Sequence, residues 1–378
     1  MNEVFREDRS VVLRYAQHLS GVDPHHLKKL SHREGARILF LRTVRDVDVY
    51  CLDLSTLTTT GTFKDWVAAL SVARAKSAGL TRIVFQSSGN TANSLSYYAT
   101  KAGMRSIGLY PPASRRRLRA SLTTENNTFV EVQAPESEIK RILTEVSERT
   151  GVPALPPLKD QYVGNALRAR LLRDAEASTG LHWDWHVQAL SSAFGPLGFY
   201  RGLAELQIPT GRWPRFLGVQ QQAVHPYADA LSDQKTNASD DSGYVPMLEP
   251  TMFRRRPSAD LIKEVGEVCT ATHGQVRAMS NQQYLDMEPS LIGMLDDAGV
   301  HVCLNADGQP HERAGLYSLL GALSAIEEGL VAPGSKVLVA HTGGAGYCGQ
   351  PSFEPETVLH PAAAASRLCA MLAKGVVQ

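Results

Sequence analysis

Two short strings carry residue types suited to carbonyl chemistry. Thr60-Gly61-Thr62-Phe63-Lys64-Asp65 brings a glycine-containing loop to a lysine, and Ser87-Ser88-Gly89-Asn90-Thr91 follows as a loop of hydroxyl and amide side chains. A lysine amine in a desolvated pocket loses its preference for the charged form and can condense with an aldehyde. A polar loop opening a helix offers free backbone N–H groups and the positive end of the peptide dipoles to an anion such as a carboxylate. Each string alone has a plainer reading. Taken alone, Lys64 reads rather as a solvated lysine at a helix start beside Asp65, and Ser88, Asn90 and Thr91 as common helix caps. Together, in this order, they describe an aldehyde held on Lys64 and an amino acid clamped by its carboxylate.

Two later strings fit the same chemistry. Ser191-Ser192-Ala193-Phe194-Gly195-Pro196-Leu197-Gly198-Phe199-Tyr200-Arg201-Gly202 places glycines between a strand and a helix, where backbone amides can approach a phosphate closely. Its Gly-x-x-Gly-x-x-x-Gly spacing departs from the dinucleotide-binding pattern, and an ordinary tight turn is the alternative. His341-Thr342-Gly343-Gly344-Ala345-Gly346 follows an apolar strand; by itself it reads as a glycine-rich connection.

These four strings resemble the threonine synthase branch of the fold-type II pyridoxal-phosphate enzymes, a superfamily with cysteine and cysteate synthases and serine/threonine dehydratases. The likeness is strong from Leu57 to Pro112 and looser to Tyr347. It implies pyridoxal 5'-phosphate as cofactor and Lys64 as both Schiff-base residue and catalytic base. It places Asn90 at the cofactor ring hydroxyl, Ala193, Phe194, Gly195 and Leu197 around the phosphate, and Thr342 at the pyridine nitrogen. Ser87, Ser88, Gly89 and Thr91 would receive the substrate carboxylate.

Three positions depart from the family pattern. The phosphate string lacks a glycine usual near Ser192 and Ala193, Asp65 is followed by Trp66 rather than arginine, and His311-Glu312-Arg313-Ala314-Gly315 replaces a Glu-Pro-Ala-Ser-Ala type segment. The expected reaction is replacement or elimination at the beta or gamma carbon of an activated amino acid, of the O-phospho- or O-acyl-serine or homoserine type. A dehydratase or other ammonia-lyase is the first alternative; an inert cofactor-binding homologue is the second.

Composition supports small-molecule chemistry. The chain has 378 residues, 43% of them hydrophobic, and a formal charge of +1. That is enough apolar material for two packed lobes, and too little positive charge for general nucleic-acid or membrane-surface binding. Cys51, Cys269, Cys303, Cys348 and Cys369 are scattered, suggesting neither a disulfide framework nor a zinc site. His182 and His186 have metal-like spacing if helical, but no third ligand is near, so packing is expected instead. Ser114-Arg115-Arg116-Arg117-Leu118-Arg119 reads as a solvated basic edge, or as a contact for an anionic substrate tail. The expected protein is cytoplasmic, without a bound metal, acting on a small amino acid and a small nucleophile. By family likeness it is a homodimer.

The elements that must position these strings alternate. Residues 36–41 and 47–52 read as strands around a turn, 66–78 as a helix stopped by Gly79, 83–85 as a strand, and 91–102 as a helix ending at Gly103. Strands at 106–110 and 128–132 and a helix at 137–150 continue the pattern. Beyond the proline-rich stretch 152–157 come strands at 187–190, 216–219 and 336–340, a helix at 259–269, and a polar surface loop at 233–243. The expectation is a two-lobed α/β protein, each lobe a mainly parallel twisted sheet flanked by helices, in the manner of the tryptophan synthase beta-like fold. Residues 1–60 and 165–378 would form the larger, cofactor-binding domain and 61–164 the smaller, mobile, carboxylate-binding one.

Overall fold

The computed structural model describes residues 2–31, 33–87, 89–119, 122, 124–232, 245–347, 354 and 357–373, the side chain of Arg116 aside. Ser88 and the polar stretch 233–243 therefore lie outside the described residues. Eleven strands are formed among them: β1 Glu3–Glu7, β2 Ala36–Val44, β3 Val47–Asp53, β4 Arg82–Gln86, β5 Arg105–Tyr110, β6 Asn127–Val132, β7 Trp185–Ala189, β8 Arg215–Gln221, β9 Gln275–Met279, β10 Lys336–His341 and β11 Thr357–Leu359.

The chain divides into two compact units. One comprises Met1–Val11, Gly35–Phe63 and Gln161–Gly346; the other comprises Val12–Glu34, Lys64–Asp160 and Tyr347–Gln378. The first unit holds a seven-stranded sheet in the order β1-β2-β3-β10-β7-β8-β9. The β1–β2 and β2–β3 pairs are antiparallel and the rest parallel. β10, the middle strand, carries an unbroken apolar run, Val337-Leu338-Val339-Ala340, as a strand buried on both faces does. Val337, Val339, Val187, Leu217 and Val219 pack with Leu316, Leu319, Leu320 and Leu323 of the helix Ala314–Glu327. Burying each such side chain stabilises the fold by about 1.5–3 kcal/mol.

The second unit holds a four-stranded, wholly parallel sheet in the order β11-β6-β5-β4. The helix Glu136–Thr150 lays Ile139, Ile142, Leu143 and Val146 against Val84, Ile107, Leu109, Val130 and Val132, the spacing of an amphipathic helix. It stops at Gly151, whose left-handed φ of +69° suits a C-terminal cap. Both units are thus mainly parallel sheets flanked by helices, as the alternation predicts.

The strands run past their sequence expectations by one to three residues at one end or both, and β7 is also displaced toward the N-terminus. β7 begins at Trp185 rather than Val187, since Trp185 already pairs with Val337 and Arg215. Cys303 is disulfide-bonded, which the scattered cysteine spacing gave no sign of. Among the described residues no helix is long and apolar enough to cross a membrane, and no group of three or more metal-ligating side chains occurs.

Candidate functional site

In the second unit, Lys64 is the first residue of the helix Lys64–Ser77 and is partly buried. Its neighbours Asp65 and Trp66 are buried outright, at 0% and 1% exposure. The helix Asn90–Lys101 starts at Gly89, which makes no side-chain cap hydrogen bond and whose carbonyl accepts from the Asn93 N–H at 3.0 Å. Ser87 is fixed through its backbone N–H, which donates to the Leu109 carbonyl at 3.2 Å. Gly89 is buried, while Asn90 and Thr91 are half-buried at the first turn. The turn therefore presents a helix N-terminus capped by glycine, a geometry that suits an anion.

Asn93, one turn further, ties this helix to the basic segment. Its amide donates to the Arg117 carbonyl at 2.8 Å and its side-chain oxygen accepts from the Arg119 N–H at 3.3 Å. Arg117 and Arg119 are 8% and 6% exposed, so this part of the basic cluster is interior rather than a solvated edge.

In the first unit, β10 delivers Thr342. At its end, buried Asp53 accepts from Arg37 Nε at 2.8 Å, from Ser55 N–H and Oγ at 3.0 and 2.9 Å, and from Thr56 N–H at 3.1 Å. Although burial opposes ionisation, His341, Thr56, Arg37 and Ser55 together hold the Asp53 carboxyl below the usual range. Burial keeps the His341 imidazole low, against the pull of Asp53. The Thr342 carbonyl accepts from Phe63 N–H at 3.1 Å and from Thr62 Oγ1 at 3.1 Å, and Thr62 also bridges to Gly343. Gly61 makes this approach possible: its φ is +73° and the backbone of Gly346 occupies the place a Cβ would need. The loop that ends in Phe63 is thus stitched to the loop that contains Thr342.

The phosphate string folds as the turn after β7 and the helix Phe194–Glu205. Ala193 is the residue before that helix, with left-handed φ +63° and ψ −8°. Ala193, Gly195 and Leu197 are buried and Phe194 is half-buried. Leu197 N–H closes the first helical turn on the Ala193 carbonyl at 3.0 Å. A Cβ at Gly195 would strike the Gln188 amide.

Several residues beside these strings have no motif to mark them. Arg168, on the helix Leu158–Thr179, is 1% exposed and donates to Gln188 Oε1 at 2.9 Å and to the Gly195 carbonyl. Its guanidinium also lies 5.4 Å from the centroid of the Phe63 ring. Glu312 is 4% exposed, and its carboxylate lies against Gly343, within the segment that departs from the family pattern. Nothing in the sequence signals Arg168, since neither its helix nor its burial was expected. His186 sits on β7 rather than on a helix, its ring 4.5 Å from that of Phe199 and 6.1 Å from that of Phe216, so it packs behind the turn. His182 is exposed and pairs with Glu176 at 2.9 Å.

Two mainly parallel sheets, with a lysine at one helix start and a glycine-containing strand-to-helix turn, define the fold-type II class of pyridoxal-phosphate enzymes. The sequence matches the family described as "Pyridoxal-phosphate dependent enzyme" over residues 37–290, and the chain belongs to that family. It is similar to a cysteate synthase of Methanospirillum hungatei JF-1, with 20% identity over 308 residues, 79% of this chain and 69% of that protein. Among solved structures it is similar to O-ureido-L-serine synthase with O-ureido-L-serine bound, at TM-score 0.61 and 16% identity, covering 85% of this chain and 90% of that one. Maize serine racemase gives TM-score 0.59 and 15% identity, over 89% and 95% of the two chains. The pyridoxal-phosphate-bound threonine synthase of Brucella melitensis gives TM-score 0.59 and 10% identity, over 92% and 82%.

Proposed function

We propose that Lys64 carries pyridoxal phosphate and that the protein replaces or eliminates a leaving group at the beta or gamma carbon of a small activated amino acid. The substrate class is O-phospho- or O-acyl-serine or homoserine. One observation carries the reading: Phe63, the residue before Lys64, donates its N–H to Thr342 at 3.1 Å, so the proposed Schiff-base lysine follows directly from the strap that holds the proposed ring-nitrogen partner. The groups fit the cofactor. The Ala193–Gly195 turn offers amides and a buried cation to a phosphate, and Thr342, only 6% exposed, offers a neutral hydroxyl.

When bound, pyridoxal phosphate withdraws electrons from the alpha carbon of an attached amino acid. In this reading Lys64 Nζ accepts the alpha proton and later returns it. The amides and hydroxyls of Ser87 to Thr91 would orient the carboxylate, and Asn90 would hold the ring hydroxyl. The Thr342 hydroxyl, unlike a carboxylate, leaves the ring nitrogen largely unprotonated, a setting that suits elimination and replacement over transamination. The cysteate synthase and O-ureido-L-serine synthase likenesses support a replacement enzyme by their names. Within the same reading the carboxylate turn belongs to a smaller domain, the phosphate turn to a larger one, and the working state is a homodimer.

The test is to incubate the purified protein with O-phosphoserine, O-acetylserine and O-phosphohomoserine, with and without a sulfur nucleophile, and to follow leaving-group release, 2-oxo acid and amino-acid product. Product that requires the added nucleophile, or gamma elimination with water addition, supports the proposal. A 2-oxo acid formed from free serine or threonine, with the three activated substrates untouched, replaces it with a dehydratase, and cofactor binding with no turnover of any of them replaces it with an inert homologue.

A further inference from the structure

Arg168 is a buried cation for which no carboxylate partner exists among the described residues. Its hydrogen bonds go to neutral acceptors only: the Gln188 amide oxygen at 2.9 Å, the Gly195 carbonyl, and, at 3.5 Å, the Asn165 carbonyl. Around it stand the rings of Phe63, His186 and Tyr200, of which none is anionic at neutral pH. Burial draws its pKa down to about 9, so the group remains charged at neutral pH. An unpaired buried charge is costly, and a fold retains one where an anion arrives. The anion-facing element is adjacent. The helix Phe194–Glu205 begins at the peptide whose carbonyl Arg168 holds, Pro196 removes one of its first donors, and the N–H groups of Ala193, Phe194 and Gly195 are those the turn can present.

We infer that Arg168 is a positioning residue for the cofactor phosphate: by gripping the Gly195 carbonyl and Gln188 it aims the turn's amides at the phosphate and supplies the positive charge behind them. The inference rests on the cofactor reading above. It names a residue outside every motif in the chain. Gly195 and Gln188 share the consequence, because any side chain at 195 would displace the Gln188 amide that Arg168 also holds. A guanidinium is suited to the task, since its planar fork reaches two acceptors at once while keeping its charge.

The test compares pyridoxal phosphate with pyridoxal, which lacks the phosphate, in wild type, Arg168→Lys and Arg168→Met. Wild type should prefer the phosphorylated form strongly. Arg168→Met should lose about 10–100-fold in affinity for pyridoxal phosphate while binding pyridoxal as wild type does, and Arg168→Lys should recover part of the loss. In the wild-type holoenzyme the phosphorus resonance should remain that of a dianion across pH 5–8, whereas a free phosphate monoester titrates near pH 6, about its second pKa. This measurement needs no variant and holds if Arg168→Met fails to fold. A bound phosphate that titrates like the free ester, or an Arg168→Met protein that keeps the full phosphate preference, overturns the inference and leaves the cofactor reading intact. Apoprotein that inorganic phosphate stabilises in wild type but not in Arg168→Met, and that ignores pyridoxal phosphate, removes the cofactor reading and keeps the anion site.

Discussion

Ala193 holds a backbone conformation that costs an L-residue about 1–2 kcal/mol, at φ +63° beside the helix that opens the phosphate turn. The sequence already marked this stretch as short of a family glycine; the geometry shows which of the two residues bears the strain. Ala193→Gly should release it, less about 0.5–1 kcal/mol for the extra freedom glycine gives the unfolded chain. The expected outcome is a gain of roughly 0.5 kcal/mol in urea unfolding with cofactor affinity retained. A β-branched residue should do the reverse: Ala193→Val should destabilise the protein and loosen the cofactor together. A less stable Ala193→Gly protein would contradict the left-handed geometry at this turn. The same scale shows what could not be read from the chain. Lys64 and Ser87 to Thr91 stood out as candidates because the proposed chemistry calls for such types within a few contiguous positions. Arg168 did not, because an arginine in a helix reads as solvated until packing reveals that it is buried.

At the scale of elements, β7 and β10 each bury a neutral histidine next to a proposed cofactor contact. Burial, reinforced by Arg168, holds the His186 imidazole well below its ordinary value, and neither ring nitrogen has a hydrogen-bond partner. Burial lowers that of His341 as well, on the last residue of β10. Both pKa values are depressed in the folded state. Their contribution is therefore fully present above about pH 6.5, the unfolded value, and falls away as pH drops and the unfolded chain takes up the protons. His186, held well below its ordinary value, should add a slope approaching about 1.4 kcal/mol per pH unit below pH 6.5. His186→Phe should remove that slope between pH 6 and 5 in urea-unfolding measurements. An unchanged slope would mean that His186 is protonated in the folded protein. The elements beside the candidate lysine and carboxylate loop were legible: glycines at 79 and 103 follow the helices that begin at Lys64 and Asn90, and both take positive φ. The start of β7 was less so, because Trp185 gains its strand conformation from pairing with Val337 and Arg215 rather than from local pattern.

At the scale of the molecule, a fold of two parallel sheets was readable because crossover helices impose a strand–helix rhythm on the sequence. The disulfide at Cys303 was not, since scattered cysteines carry no spacing that marks one. The chain passes from one compact unit to the other between Phe63 and Lys64, so the proposed reactive lysine opens the second unit while the strap to Thr342 closes a segment of the first. The central claim concerns that lysine, and the most direct test reduces the cofactor-loaded protein with borohydride and maps the modified peptide by mass spectrometry. The account predicts a pyridoxyl group on Lys64, and no visible cofactor absorbance and no label in Lys64→Ala. A label on a different lysine of the wild-type protein, or equal labelling of Lys64→Ala, would contradict it.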